Sequence, residues 1–216
     1  MRIVISFDGT GLEQQNRTCL ERVDNCPDVV RIYFKGCHAS KTGGNGLFPD
    51  ITGMTKKLAK LFNHNELDLD ELKKTFGDDV AIEPFDSVTT DEHPVTYGKI
   101  SSIDEMAFMG YSRGCIASFS LAKQLHGNGN IIPVRIVANQ PVPGNSYDGW
   151  NTLASEVIDL SMCTNIRSAS VVIGSYVNQF GFSGKTAVAS YIHKLFFKQI
   201  VPFFQSKQKS ILKNAL

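Results

Sequence analysis

Residues 109–118 read MGYSRGCIAS, and the reading of these ten residues decides the fold. A serine stands between two glycines in Gly110-Tyr111-Ser112-Arg113-Gly114. Upstream, the apolar Met106-Ala107-Phe108-Met109 predicts a strand over 105–109. Downstream, Ile116, Ala117, Phe119, Ser120 and Leu121 predict a helix from about 113 to 126. In a strand–turn–helix setting, G-x-S-x-G describes a sharp turn that lifts a serine hydroxyl above the sheet edge, with glycines where a side chain would collide. The competing reading of Ser112 is a serine in an ordinary tight turn, since Gly and Ser are common there.

Working outward, RIVISF (2–7) and VVRIYF (29–34) are further short apolar runs. They end in DGTG and in the glycine-rich KGCHASKTGGNG, respectively. ITGMTKKLAKLF (51–62) has helical period, LDLDELKKTF (67–76) reads as a helix, and the rest of 63–104 is polar and carries no clear pattern. IIPVRIVAN (131–139) and SASVVIGSYV (168–177) predict two more strands, and 186–199 another helix. Apolar strands alternating with helices imply an α/β fold: a predominantly parallel sheet with helices on both faces, in one domain spanning 1–216. Sites in such folds gather at the carboxyl ends of the strands, so the loops at 8–11, 36–46, 110–114, 140–149 and 178–184 should open on one edge.

Composition narrows the partners. A formal net charge of +1 gives no reason to invoke nucleic acid or an anionic membrane. No apolar stretch is long enough for stable membrane insertion, and the N-terminus has no secretory signal pattern. The expected location is the cytoplasm, or outside the cell by way of a dedicated secretion machine. Five cysteines (Cys19, Cys26, Cys37, Cys115 and Cys163) with no C-x-x-C pair read as reduced thiols. Nothing in the pattern calls for a metal or a cofactor.

Three other motifs compete for the chemistry. FDGTG (7–11) imitates the phosphoaspartyl motif D-x-D-G-T, but the nucleophile position holds Ser6, so the carboxylate is missing. GFSGKTAV (181–188) imitates a phosphate-binding loop, but Gln179 stands where its first glycine belongs, and the stretch reads as a helix-capping loop. Gly36-Cys37-His38 places a thiol beside an imidazole, but side chains of adjacent residues diverge. A serine nucleophile would need oxyanion donors: the amide of Arg113 at the helix start, and one from a second strand-end loop such as Asp8-Gly9-Thr10.

SFDGTG, RIYFKG, GYSRGC and VANQPVPGN form an ordered series. It resembles a bacterial α/β-hydrolase family that includes phospholipase effectors of type VI secretion. Members carry F-D-G-T, then G-F-S-R-G-A, then an acidic residue opening a D-P-V-P-G-like turn, then a histidine. The resemblance implies an α/β-hydrolase fold and a serine hydrolase of ester or lipid substrates. Ser112 would be the nucleophile, with the amides of Gly9 and Arg113 as oxyanion donors.

Two positions depart from that pattern. Gln140 stands where the acid belongs, which leaves Asp148, or more remotely Asp159, to orient the imidazole. The one histidine after residue 148 is His193, inside a predicted helix, with His38 as an out-of-order alternative base. A neutral amide can hold an imidazole but does not stabilise the imidazolium formed in the reaction, a change that costs about four orders of magnitude in well-studied triads. The alternative function is therefore a hydrolase scaffold that has lost its acid and base and serves as a binding module.

Overall fold

The computed structural model describes residues 1–9, 28–36, 51–83, 96–139, 141 and 160–172. In chain order the elements are β1 (Arg2–Phe7), β2 (Val29–Phe34), α1 (Ile51–Leu61), β3 (Phe62–Asn63), β4 (Glu66–Asp68) and α2 (Leu69–Phe76). There follow β5 (Val80–Glu83), β6 (Lys99–Ile100), β7 (Glu105–Tyr111), α3 (Gly114–Gly127), β8 (Val134–Asn139) and β9 (Ile166–Val172). The main sheet runs β5-β2-β1-β7-β8-β9. Its neighbours are parallel except for β5, which pairs antiparallel with β2 at one edge. The fold is α/β, a mixed and mostly parallel sheet with helices packed against it.

Strand register explains which side chains build the core. Ile82, Ile32, Ile5, Phe108 and Ile136 stand in one row across five strands, and all five are buried. One residue further along each strand, Ala81, Tyr33, Ser6, Met109 and Val137 face the other way, because side chains alternate across a pleated sheet. On that second face Tyr33 and Ser6 are buried, but Val137 is exposed. The described helices belong to the first face. Helix 186–199, expected to add cover, lies outside the described residues.

Helix α3 is buried on every side from Gly114 to Ala122, as a helix sandwiched between a sheet and another helix must be. It lies over β7, β8 and β1 and packs against α1. Small residues allow that closeness. Ser120 Oγ and Thr55 Oγ1 meet at 2.8 Å in the buried contact between the helices, and Thr55 also donates to the Ile51 carbonyl at 2.7 Å. Helix α2 begins at Asp68, whose carboxylate accepts from the Glu71 amide at 2.9 Å, and ends with Phe76 edge-on to Phe34. Phe34 in turn stacks on Phe7 of β1, with ring centroids 5.1 Å apart.

A second, three-stranded sheet, β3-β4-β6, lies at the amino ends of the main strands. Ile103 N–H donates to the Asn65 carbonyl just before β7, and Asn130 Nδ2 donates to the His64 carbonyl just before β8. The carboxyl ends of β1, β2, β7 and β8 therefore share the opposite edge. Several boundaries differ from the sequence expectation. The strand expected over 131–139 starts at Val134, after Pro133, whose ring nitrogen has no hydrogen to give a ladder. β7 runs two residues past Met109 to Tyr111, and Leu67 joins β4 rather than a helix.

Candidate active site

The site is built where β1 and β7 end side by side. Phe7 pairs with Gly110 in register, and Tyr111 pairs with Asn139 of β8. The chain then reverses within two residues. Ser112 adopts φ +53°, and the Cys115 amide closes the turn on the Ser112 carbonyl at 3.2 Å. A left-handed conformation costs a non-glycine residue about 1–3 kcal/mol and persists only where the surroundings over-determine it.

Those surroundings are three close backbone approaches. A Cβ at Gly110 would lie 2.5 Å from both Cα and N of Cys115, so a side chain there would strike the incoming helix. A Cβ at Gly114 would lie 2.1 Å from the Phe7 carbonyl oxygen, so the first residue of α3 must be bare to sit on β1. A Cβ at Gly9 would lie 3.0 Å from Ser112 Cβ and 3.1 Å from Tyr111 Cδ1. The two glycines flanking Ser112 and the glycine after β1 thus have one steric purpose, which is to let three chain segments converge on one serine.

Hydrogen bonds lock the turn from the β8 side. The Ser112 amide donates to the Asn139 carbonyl at 3.0 Å, and Cys115 Sγ donates to the same oxygen at 3.3 Å. Burial pushes the Cys115 thiol well above its ordinary range, against a smaller opposing effect of its hydrogen bonds. The thiol nearest the turn is therefore a protonated packing group, not a rival nucleophile. Arg113 forms the helix cap, with φ −68° and ψ −25°. Amides at this end of a helix lack acceptors within the helix and sit at the positive end of its dipole, which suits a developing oxyanion.

Asp8 completes the described cluster. It is 3% exposed; its Oδ2 accepts from the Tyr33 hydroxyl at 2.8 Å and its Oδ1 from the Gly9 amide at 3.2 Å. Its own amide donates to the Phe34 carbonyl. Ser6, two residues earlier on the same face, is fully buried, and its hydroxyl finds no partner among the described residues. Burial keeps Ser6 away from any substrate, which removes a phosphoaspartyl-like role at that position.

The structure thus brings together Ser112, Arg113, Gly9 and Asp8 from the sequence-based set. Thr10, His38, Gln140, Asp148, Asp159 and His193 lie outside the described residues. The two described histidines are remote. His126 is in the last turn of α3, a 14-residue helix whose first turn adjoins Ser112, hence about 20 Å away along the axis. His64 sits in the hairpin between β3 and β4, at the opposite edge of the sheet. Among the described residues no group of three or more His, Cys, Asp or Glu is arranged to hold a metal, and no helix is long and apolar enough to cross a membrane.

Two contributors escaped the sequence reading. Tyr33 holds Asp8 across 25 residues of chain, and the Asn139 carbonyl receives both Ser112 and Cys115. The available signal was the strand period, which sets Ser6 and Tyr33 each one residue off its strand's buried isoleucine; that the two strands pair in register, and so bring Tyr33 to Asp8, is seen only in the structure. A scan of protein-family models finds no match to this chain, and a search of curated proteins finds no significant match.

Proposed function

We propose that this chain is a serine hydrolase of carboxylic esters with an α/β-hydrolase-type site, and that lipid or phospholipid esters are its substrate class. The observation that carries the reading is the left-handed backbone of Ser112, held between glycines that leave no room for a Cβ. An ordinary tight turn has no need of such convergence, whereas a nucleophile elbow requires it. The position of β1 supports the same reading, because the loop after the strand beside the elbow is where a second oxyanion donor is needed, and Gly9 begins that loop.

In this mechanism Ser112 Oγ attacks the ester carbonyl carbon while an imidazole, His193 or His38, accepts its proton. The carbonyl oxygen becomes an oxyanion facing the amide of Arg113, since the Gly9 amide, expected from the sequence as the second donor, is already given to Asp8 Oδ1. Collapse of the tetrahedral intermediate breaks the bond to the alcohol, which leaves with the proton from the imidazole. Water then attacks the acyl-serine by the same route and releases the acid. Asp148 orients the imidazole in place of the acid that Gln140 has replaced.

A second reading, a binding module on an inactive hydrolase scaffold, is favoured by Gln140, which stands where the acid belongs. Hydrolysis of p-nitrophenyl esters of graded acyl length separates the two. Turnover that rises with chain length and vanishes in Ser112→Ala supports the hydrolase. Equal background rates for wild type and Ser112→Ala support the scaffold. Single His193→Ala and His38→Ala variants then identify the base by which of them loses turnover.

A further inference from the structure

We infer that Tyr33 and Asp8 form a positioning pair that sets the Gly9 side of the Ser112 pocket, an inference that rests on the hydrolase reading above. Three contacts run in series. The Tyr33 hydroxyl donates to Asp8 Oδ2 at 2.8 Å, Asp8 Oδ1 accepts the Gly9 amide at 3.2 Å, and the Gly9 Cα lies against Ser112 and Tyr111 so closely that a Cβ would approach them at 3.0 and 3.1 Å. Each link is buried: Tyr33 is 2% and Asp8 3% exposed. A carboxylate enclosed in this way must be satisfied by fixed donors, because water does not reach it to compensate for a lost one.

The pair therefore does more than fill space. With Oδ2 pinned by Tyr33, the Asp8 side chain has one orientation, and Oδ1 dictates where the Gly9 peptide plane points. Without the phenol hydroxyl, the carboxylate can turn toward other donors and the Gly9 peptide loses its reference. Tyr33 never meets the substrate. It acts through Asp8 on the Gly9 backbone that packs against Ser112, so its loss should misplace the attacking serine and appear in the chemical step and not in substrate binding.

The test uses the full chain, a fluorophosphonate probe and a p-nitrophenyl ester. Tyr33→Phe keeps the ring and removes the hydroxyl; Asp8→Asn keeps the shape and removes the charge. Each should slow fluorophosphonate labelling and lower kcat about tenfold with KM within about twofold of wild type, a fraction of the effect of deleting an oxyanion donor outright. The double variant should be no slower than Asp8→Asn alone, since Tyr33 acts only through that carboxylate. Ser6→Ala, which removes the neighbouring buried hydroxyl, should leave the labelling rate unchanged.

Folding is checked by circular dichroism. If one of the two variants fails to fold, the kcat-against-KM split is read from the other. Rates within twofold of wild type in both, or a loss confined to KM, overturn the positioning role while the hydrolase reading stands. A wild-type chain that the probe does not label overturns both.

Discussion

His64 and Ser112 share a backbone torsion and almost nothing else. Both are non-glycine residues at φ +53°. At His64 the cause is local: it is the first residue of a two-residue loop joining β3 to β4, where the twist of a hairpin calls for a positive φ. It is exposed, and glycine could replace it without disturbing a neighbour. At Ser112 the cause is tertiary. The Phe7–Gly9 segment and the Cys115 backbone close in from two sides, and from a third the Asn139 carbonyl fixes the amide. Strain that local sequence could relieve says little about function, whereas strain enforced by a converging scaffold points to a site.

The largest expected effect breaks that scaffold. Gly114→Ala drives a methyl group into the Phe7 carbonyl at 2.1 Å, with backbone on both sides and no flexible side chain to yield. We expect a loss of at least about 3 kcal/mol in urea unfolding, at the top of the usual range for overpacking. Gly110→Ala, at 2.5 Å from Cys115, should follow closely. Gly127 ends the same helix, and a Cβ there would meet nothing within 4 Å, so its replacement by Ala should stabilise by ~0.5–1 kcal/mol.

The two left-handed residues provide the next pair of tests. Ser112→Gly should raise stability by about 1 kcal/mol through relief of its torsion while abolishing ester turnover. His64→Gly should stabilise by a similar or smaller amount, ~0.5–1 kcal/mol, and leave turnover intact. Thermal unfolding and p-nitrophenyl ester assays read both. If His64→Gly also lost turnover, the contrast between a local and a scaffold-imposed torsion would fail.

The parts of this architecture that were legible in the sequence are those with enough residues to show a period. β1 and β2 coincide with RIVISF and VVRIYF because their apolar runs are bounded by turn residues. Around Ser112 the strand, turn and helix were readable because glycines at 110 and 114 bracket an apolar run and a helical stripe. β5 was not readable: its four residues VAIE form an antiparallel edge inside an acidic stretch. Nor were β3, β4 and β6, two or three residues long, since such lengths hold no more than one repeat of a two-residue period.

The candidate site divides in the same way. Ser112, Arg113 and Gly9 were found from local pattern. The Tyr33–Asp8 contact depends on which strands become neighbours, which the residues 25 apart in sequence do not state. The acid and base fell on Asp148, His193 and His38 by elimination, from the resemblance and from chain order, with no local motif to single them out.

The central claim is that the fold strains one serine in order to present it. Peptide mapping by mass spectrometry after reaction with a fluorophosphonate tests this most directly. The expected result is a single phosphonate adduct, on the peptide containing Ser112, absent in Ser112→Ala. An unmodified wild-type chain, or an adduct on some other residue that persists in Ser112→Ala, would contradict it.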